Sequence, residues 1–157
     1  MKKIINDSCR SRAKRLLETM SLEEKISQVC SEMIFDVDEE YEEKRDPKLG
    51  NSRNPGHFMH CNRETPASAQ EVAQRINRDV EISVGAQEHN IPPIENGEAL
   101  HGAQWGMATC FPQPIAMAST FNKELMLRVS DVIGKECAAV GVRQVFAPVV
   151  NIARDCR

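Results

Sequence analysis

The chain has 157 residues, of which 41% are apolar and 27% charged, with a formal net charge of −3 at pH 7. That length suits one ordinary domain with a core of its own, and the acidic balance argues against nucleic acid as a partner, because phosphate-binding domains are usually basic. No apolar run approaches the length of a membrane span, so no membrane partner is expected either.

The opening MKKIINDSCRSRAKRLL has a basic end, but Asn6, Asp7 and Ser8 interrupt any apolar core. No signal peptide is therefore expected, and a cytoplasmic location is the default. Residues 10–19 carry Ala13, Leu16, Leu17 and Met20 on a helical spacing. A second helix starts at Ser21, with Glu24 three residues on completing a capping box. Leu22, Ile26, Val29 and Met33 then fall on one helical face. From Phe35 to Lys48 the run FDVDEEYEEKRDPK reads as a solvated loop.

Gly56–Met59 is short enough for a buried strand. His57, His60 and Cys61 sit close together, but a zinc site needs three or four ligands at workable spacing, so no metal is expected there. Thr65 and Pro66 read as an N-cap and a first helical position. Val72, Ile76, Val80 and Val84 recur every fourth residue in a helix running to about residue 88. Pro93–Asn96 is expected to form a second short strand.

Ile91 to Phe121, IPPIENGEALHGAQWGMATCFPQPIAMASTF, is the most informative stretch. Glu98 stands between a glycine turn and Leu-His-Gly, with Trp105 and Phe111-Pro112 close behind. A loop this dense in Gly, Pro, His, Trp and carboxylate reads as a shaped site. Asn122 then caps a helix, with Phe121 and Met126 as a hydrophobic staple. Leu125, Val129, Val132, Ile133, Cys137 and Val140 make its buried face, and Gly141 ends it. Val142–Val150 reads as a third strand, apolar enough to be buried on both faces. The six cysteines are scattered, with no Cys-x-x-Cys pair, and read as reduced thiols, several of them buried in helices.

Strands alternating with helices imply βαβ units and a parallel sheet. About three strands fit, whereas a closed (β/α)₈ barrel needs roughly 250 residues. An apolar strand left unpaired at a sheet edge is expected of a fragment. The expectation from the residues is an α/β fold with a parallel sheet, incomplete at its last strand. Residues 1–50 would supply leading helices and an acidic loop, and residues 51–157 the first βα units.

Four phrases in order, RAKRLLETMSLEEKISQV, IPPIENGEALHG, ATCFPQPIAMASTFN and VRQVFAPVVNIARDCR, resemble the N-terminal domain of glycoside hydrolase family 3. This is the β-glucosidase and β-xylosidase family, and the likeness covers nearly the whole chain. The resemblance implies an α/β fold that is the incomplete N-terminal part of a (β/α)₈ TIM-type barrel. It implies a retaining β-glycosidase that needs no cofactor and acts on a β-linked oligosaccharide or glycoside, with two carboxyl groups about 5 to 5.5 Å apart. The family's nucleophile is an Asp on a later strand, and its acid/base usually lies outside the first part of the barrel, so no catalytic residue is expected in this chain.

Glu98 stands where the family has an acidic residue that holds sugar hydroxyls. A carboxylate accepts two neighbouring hydroxyls at once, which suits that task. His101, Trp105, Arg154 and Asp155 are candidates to support it. Trp105 either stacks on a sugar face or packs the loop, and Arg154 with Asp155 forms an ion pair at the end of the third strand. The family continues from the final Arg into Trp-Gly-Arg, which is absent here, and Cys156 replaces a common proline. The alternative reading is a non-catalytic sugar-binding or scaffolding protein derived from the same barrel.

Overall fold

The computed structural model describes residues 7–35, 56–61, 67–85, 88–150 and 154. Two helices lead, α1 (Asp7–Thr19) and α2 (Leu22–Gln28). Strands β1 (Ser31–Phe35) and β2 (His57–Cys61) come next, then α3 (Ala69–Gly85) and β3 (Ile94–Gly97). The last elements are α4 (Pro114–Ala118), α5 (Lys123–Ala139) and β4 (Gln144–Val145).

The strands lie in the order β1-β2-β3-β4, and each pairs with the next in parallel. Doubly wound sheets reverse their strand order at a switch point, whereas a barrel adds strands in sequence order. The order here is the barrel kind, as expected.

The described residues hold four strands rather than three. The apolar stripe of α2 was expected to reach Met33, but the helix stops at Gln28. Val29 is its C-cap; its N–H donates back to the Ile26 carbonyl and the Cys30 N–H to the Ser27 carbonyl. Ser31–Phe35 then pairs residue for residue with His57–Cys61. The stripe itself is not core, since Leu22, Ile26 and Val29 are 71%, 52% and 82% exposed. The capping box is present: Glu24 N–H donates to the Ser21 hydroxyl at 3.2 Å, and Ser21 N–H donates to the Glu24 carboxylate at 2.7 Å.

Thr65 and Pro66 lie outside the described residues, as does the acidic run from residue 36 to residue 48. The cap seen on α3 is Ser68. Its N–H donates to the Glu71 carboxylate at 2.7 Å, and Glu71 N–H donates back to the hydroxyl at 3.3 Å. The helix buries Val72, Ile76, Asp79 and Ser83. A strict four-residue step overshoots a 3.6-residue turn, so the buried line slips back from Val80 and Val84, which are only partly covered.

Helix α5 is capped as expected, with Leu125 N–H donating to Asn122 Oδ1 at 2.9 Å. Val129, Ile133 and Cys137 are buried and Val140 caps its end, followed by Gly141 at φ 98°. The staple does not form: Phe121 sits at φ 52° and is 93% exposed.

The Val142–Val150 strand shrinks to Gln144–Val145. Short β3 offers only Asn96 and Gly97 as partners, and Pro148 has no N–H to extend a ladder. Val142 is buried, but Val145, Phe146, Val149 and Val150 are exposed, so this stretch is not covered on both faces. The core instead gathers Val72 and Ile76 of α3, Val129, Ile133 and Cys137 of α5, and Ala99, Ala103 and Trp105 of the loop after β3. Among the cysteines whose burial is described only Cys137 is buried; Cys9, Cys30 and Cys110 are exposed and outside any disulfide, fewer buried than expected.

Candidate functional site

Strand β3 delivers Glu98 one residue past its C-terminal end, where the carboxylate is half-buried. Beneath it Glu95, Asn96 and Gly97 are all buried. Successive strand side chains alternate in direction. Glu95 and Gly97 therefore share the face on which Trp105 lies, and Asn96 shares the other face with Glu98. Asn96 is opposite Met59 on one side and Gln144 on the other. Its Oδ1 is buried and unpartnered, as is the indole Nε1 of Trp105.

The loop that follows closes on itself. Gln104 N–H donates to the Glu98 carbonyl at 3.3 Å, and Phe111 N–H donates to the His101 carbonyl at 2.7 Å. His101 Nδ1 lies 3.1 Å from the Phe111 carbonyl. A carbonyl only accepts, so that ring nitrogen carries the proton. Between these ties Gly102 takes φ 141°, and a β-carbon there would stand 2.3 Å from the Thr109 carbonyl oxygen. Only glycine fits that crossing.

Two further ties fasten the loop to the helices. Met107 N–H donates to the carbonyl of Ala67, just before α3, at 3.3 Å. Thr109 gives both its N–H and its hydroxyl to the Glu136 carboxylate of α5, at 3.0 Å and 2.7 Å. The backbone around Glu98 is thus fixed from α3, from α5 and across its own neck. Glu136 was not singled out from the sequence: an acidic residue on a helix carries no local sign of a partner 27 positions away.

Glu98, His101 and Trp105 do belong to one loop, but Trp105 is only 4% exposed and packs in the core. Of its two expected roles, loop packing is the one its position supports, because a sugar cannot reach the ring. Arg154 is exposed and stands nine residues beyond β4, not at a strand end. Asp155 lies outside the described residues, and with it the expected ion pair.

A cavity of about 320 Å³ opens behind the loop, between Val72, Trp105, Met107, Glu136 and Val140. Glu98 does not line it. The walls are mostly apolar, whereas a sugar presents hydroxyls on most sides, so the cavity belongs to the helix packing rather than to Glu98.

A parallel sheet built in sequence order, with an anchored loop past a strand's C-terminal end, is the arrangement that opens an α/β barrel. The family profile described as the glycosyl hydrolase family 3 N terminal domain matches residues 21–157, and the chain belongs to that family.

Its relatives agree. The chain is 36% identical to the lysosomal beta glucosidase of Dictyostelium discoideum over 49% of its own length and 10% of that protein's. It is likewise 36% identical to a beta-xylosidase of Formosa agariphila, over 43% of the chain and 10% of the relative. A second sequence from Formosa agariphila aligns along 93% of the chain at 28% identity, and 20% of its own length is covered. The chain thus spans a fifth or less of these relatives.

Among solved structures, the exo-1,3/1,4-beta-glucanase of a Pseudoalteromonas species shares the fold with a TM-score of 0.76 at 21% identity, covering 96% of this chain and 19% of that one. A beta-glucoside phosphorylase, BglX, gives a TM-score of 0.72 at 21% identity, covering 94% and 25%.

Proposed function

We propose that this chain supplies the sugar-gripping opening of a retaining β-glycosidase that hydrolyses β-glucosides or β-xylosides, with Glu98 holding hydroxyls of the sugar whose bond is cut. The supporting observation is the place of Glu98, past the C-terminal end of β3 on a loop tied to α3 and α5. Barrel enzymes assemble their active sites at that end of the strands. A half-buried carboxylate on that anchored backbone can accept two adjacent hydroxyls through charge-assisted hydrogen bonds.

The chemistry follows from two further carboxyl groups. One attacks the anomeric carbon and displaces the leaving oxygen, forming a glycosyl-enzyme, while the other gives that oxygen a proton. The second group then takes a proton from water as the water releases the sugar. By the family resemblance both groups stand outside these 157 residues, so Glu98 binds and orients and takes no part in bond breaking. The two solved neighbours bear different reaction names, a glucanase and a phosphorylase. Hydrolysis is favoured here by the glucosidase and xylosidase names of the sequence relatives.

The experiment is an assay of the purified 157-residue chain with aryl β-glucoside and aryl β-xyloside. The expected result is no turnover, because the group that forms the covalent intermediate is lacking. Turnover that persists in Glu98→Ala would place the bond-breaking carboxyls within this chain and overturn the assignment.

A further inference from the structure

The face of β3 that bears Glu98 carries a second polar side chain, and the sugar-holding role leaves it unused. Asn96 is 3% exposed, and its Oδ1 is covered without a hydrogen-bond partner. Its amide nitrogen has no hydrogen bond among the described residues either. A primary amide offers an acceptor oxygen and two donor protons. Taking it out of water with those bonds unmade is costly, and an apolar side chain of the same shape would avoid the cost.

The position sharpens the question. Trp105 and the helix-side core lie on the opposite face, so Asn96 is on the face that a barrel encloses. Branched apolar side chains dominate such interiors, and asparagine is a poor strand former. Packing therefore does not account for an asparagine here. Glu98, two residues on, supplies the complementary chemistry. Its half-buried carboxylate accepts no hydrogen bond among the described residues. Two strand residues span about 7 Å, a gap that an Asn and a Glu side chain close by leaning together. A carboxylate has two oxygens and only accepts, so one oxygen can rest on an amide N–H while the other holds a sugar hydroxyl. The Asn96 oxygen has a donor within reach as well. Gln144 stands opposite Asn96 in the β3–β4 register, and its side chain is exposed and free to turn inward.

We propose that Asn96 is the positioning residue for Glu98. Its Nδ2 donates to the inner oxygen of the Glu98 carboxylate and holds the outer oxygen toward the sugar, while Gln144 donates to its Oδ1. In this structure the groups are not yet joined. The bonds close when the sugar is seated, as hydrogen bonds in active sites commonly tighten only in the substrate complex. A row of amide, amide and carboxylate then spans β4 and β3, each bond polarising the next.

This role rests on Glu98 holding sugar, and the test separates the two. In a fusion of this chain to the rest of a family 3 barrel, kcat/KM for aryl β-glucoside and aryl β-xyloside is measured alongside melting temperature. Asn96→Leu keeps the shape and removes the unpartnered polar atoms. Its melting temperature should hold or rise, while kcat/KM falls about tenfold and an inhibitor that mimics the bound sugar weakens in parallel. Asn96→Asp loses the donors and sets a second negative charge below Glu98, so it should lose more than Asn96→Leu. Gln144→Leu should lose less. Parent-like kcat/KM in Asn96→Leu or Asn96→Asp, with Glu98→Gln impaired, would overturn the positioning role alone. An unimpaired Glu98→Gln would overturn the sugar-holding role and this one with it. A fall in kcat/KM matched by a fall in melting temperature in Asn96→Leu would make Asn96 a structural residue and likewise overturn the proposal.

Discussion

Trp105 lies over Gly97 so closely that a β-carbon on the glycine would stand 2.6 Å from Cζ2 of the indole. The ring cannot easily retreat, since it is 4% exposed and packed in the core with Val72 and Val129. Gly97→Ala should therefore destabilise the chain by about 1–3 kcal/mol, the usual cost of overpacking. Trp105→Phe removes the part of the ring that would clash, along with an unpartnered N–H. In the double variant the loss should be smaller than the sum of the two single losses. Urea unfolding of the four proteins checks this; strict additivity would show that the contact is not the cause.

The pairing of Gly97 with Trp105 also shows what the sequence conceals. The loop is conspicuous from its composition, and its carboxylate, histidine and tryptophan are easily found. Which of them faces outward depends on the strand's alternation and on α3 and α5 lying behind, which single-chain periodicity does not reveal. The helices were legible because caps and apolar spacing are local: Ser21 with Glu24 and Asn122 with Leu125 behave as their spacing implies. Ser68-Ala69-Gln70-Glu71 carries the same cap signature, and it lies beside Thr65-Pro66, which offers a competing one. Strand β1 was hidden because a stripe reaching Met33 satisfies a helix as well as Met33 satisfies a strand. The Val142–Val150 stretch misled in the other direction, because apolar composition records what can be covered rather than what these residues cover.

The two capping boxes should make stability depend on acid. Glu24 and Glu71 are both held below the ordinary carboxyl value of 4.5, in each case chiefly by the backbone N–H of the cap serine, Ser21 or Ser68. A carboxyl whose value is lower in the folded state binds protons more readily when unfolded as pH falls. Its stabilisation is full above the unfolded value and is lost as pH drops through the folded one. Melting temperature should thus decline between about pH 5 and pH 3. Glu71→Gln should lie below the parent chain at neutral pH and converge with it in acid. A gap of constant size across that range would mean that the charge of Glu71 does not stabilise its cap.

Glu136 ties the middle of the loop to α5 through both donors of Thr109. Removing it in Glu136→Ala should free the Thr109 amide without unfolding the sheet. Hydrogen exchange at Thr109 and its neighbours should then quicken by about tenfold, corresponding to ~1.4 kcal/mol, near the usual contribution of a hydrogen bond to a charged group. Exchange in α3 and β2 should stay as it was. Uniform acceleration throughout the chain would indicate loss of global stability instead of release of an anchor.

The role assigned to Glu98 separates from a merely structural one by which measured quantity moves. In a fusion of this chain to the rest of a family 3 barrel, Glu98→Gln keeps the side chain's size but loses the charge that strengthens hydrogen bonds to sugar hydroxyls. One to two such bonds at about 1.5–3 kcal/mol each correspond to a loss of at least tenfold in kcat/KM. Glu98→Ala should lose more, and an inhibitor that mimics the bound sugar should weaken in parallel. The Glu98 carbonyl, not its carboxylate, accepts from Gln104, so neither substitution removes that closure of the loop, and the melting temperature should barely change. A large fall in melting temperature with kcat/KM preserved would identify the carboxylate as a structural brace and remove it from the sugar site.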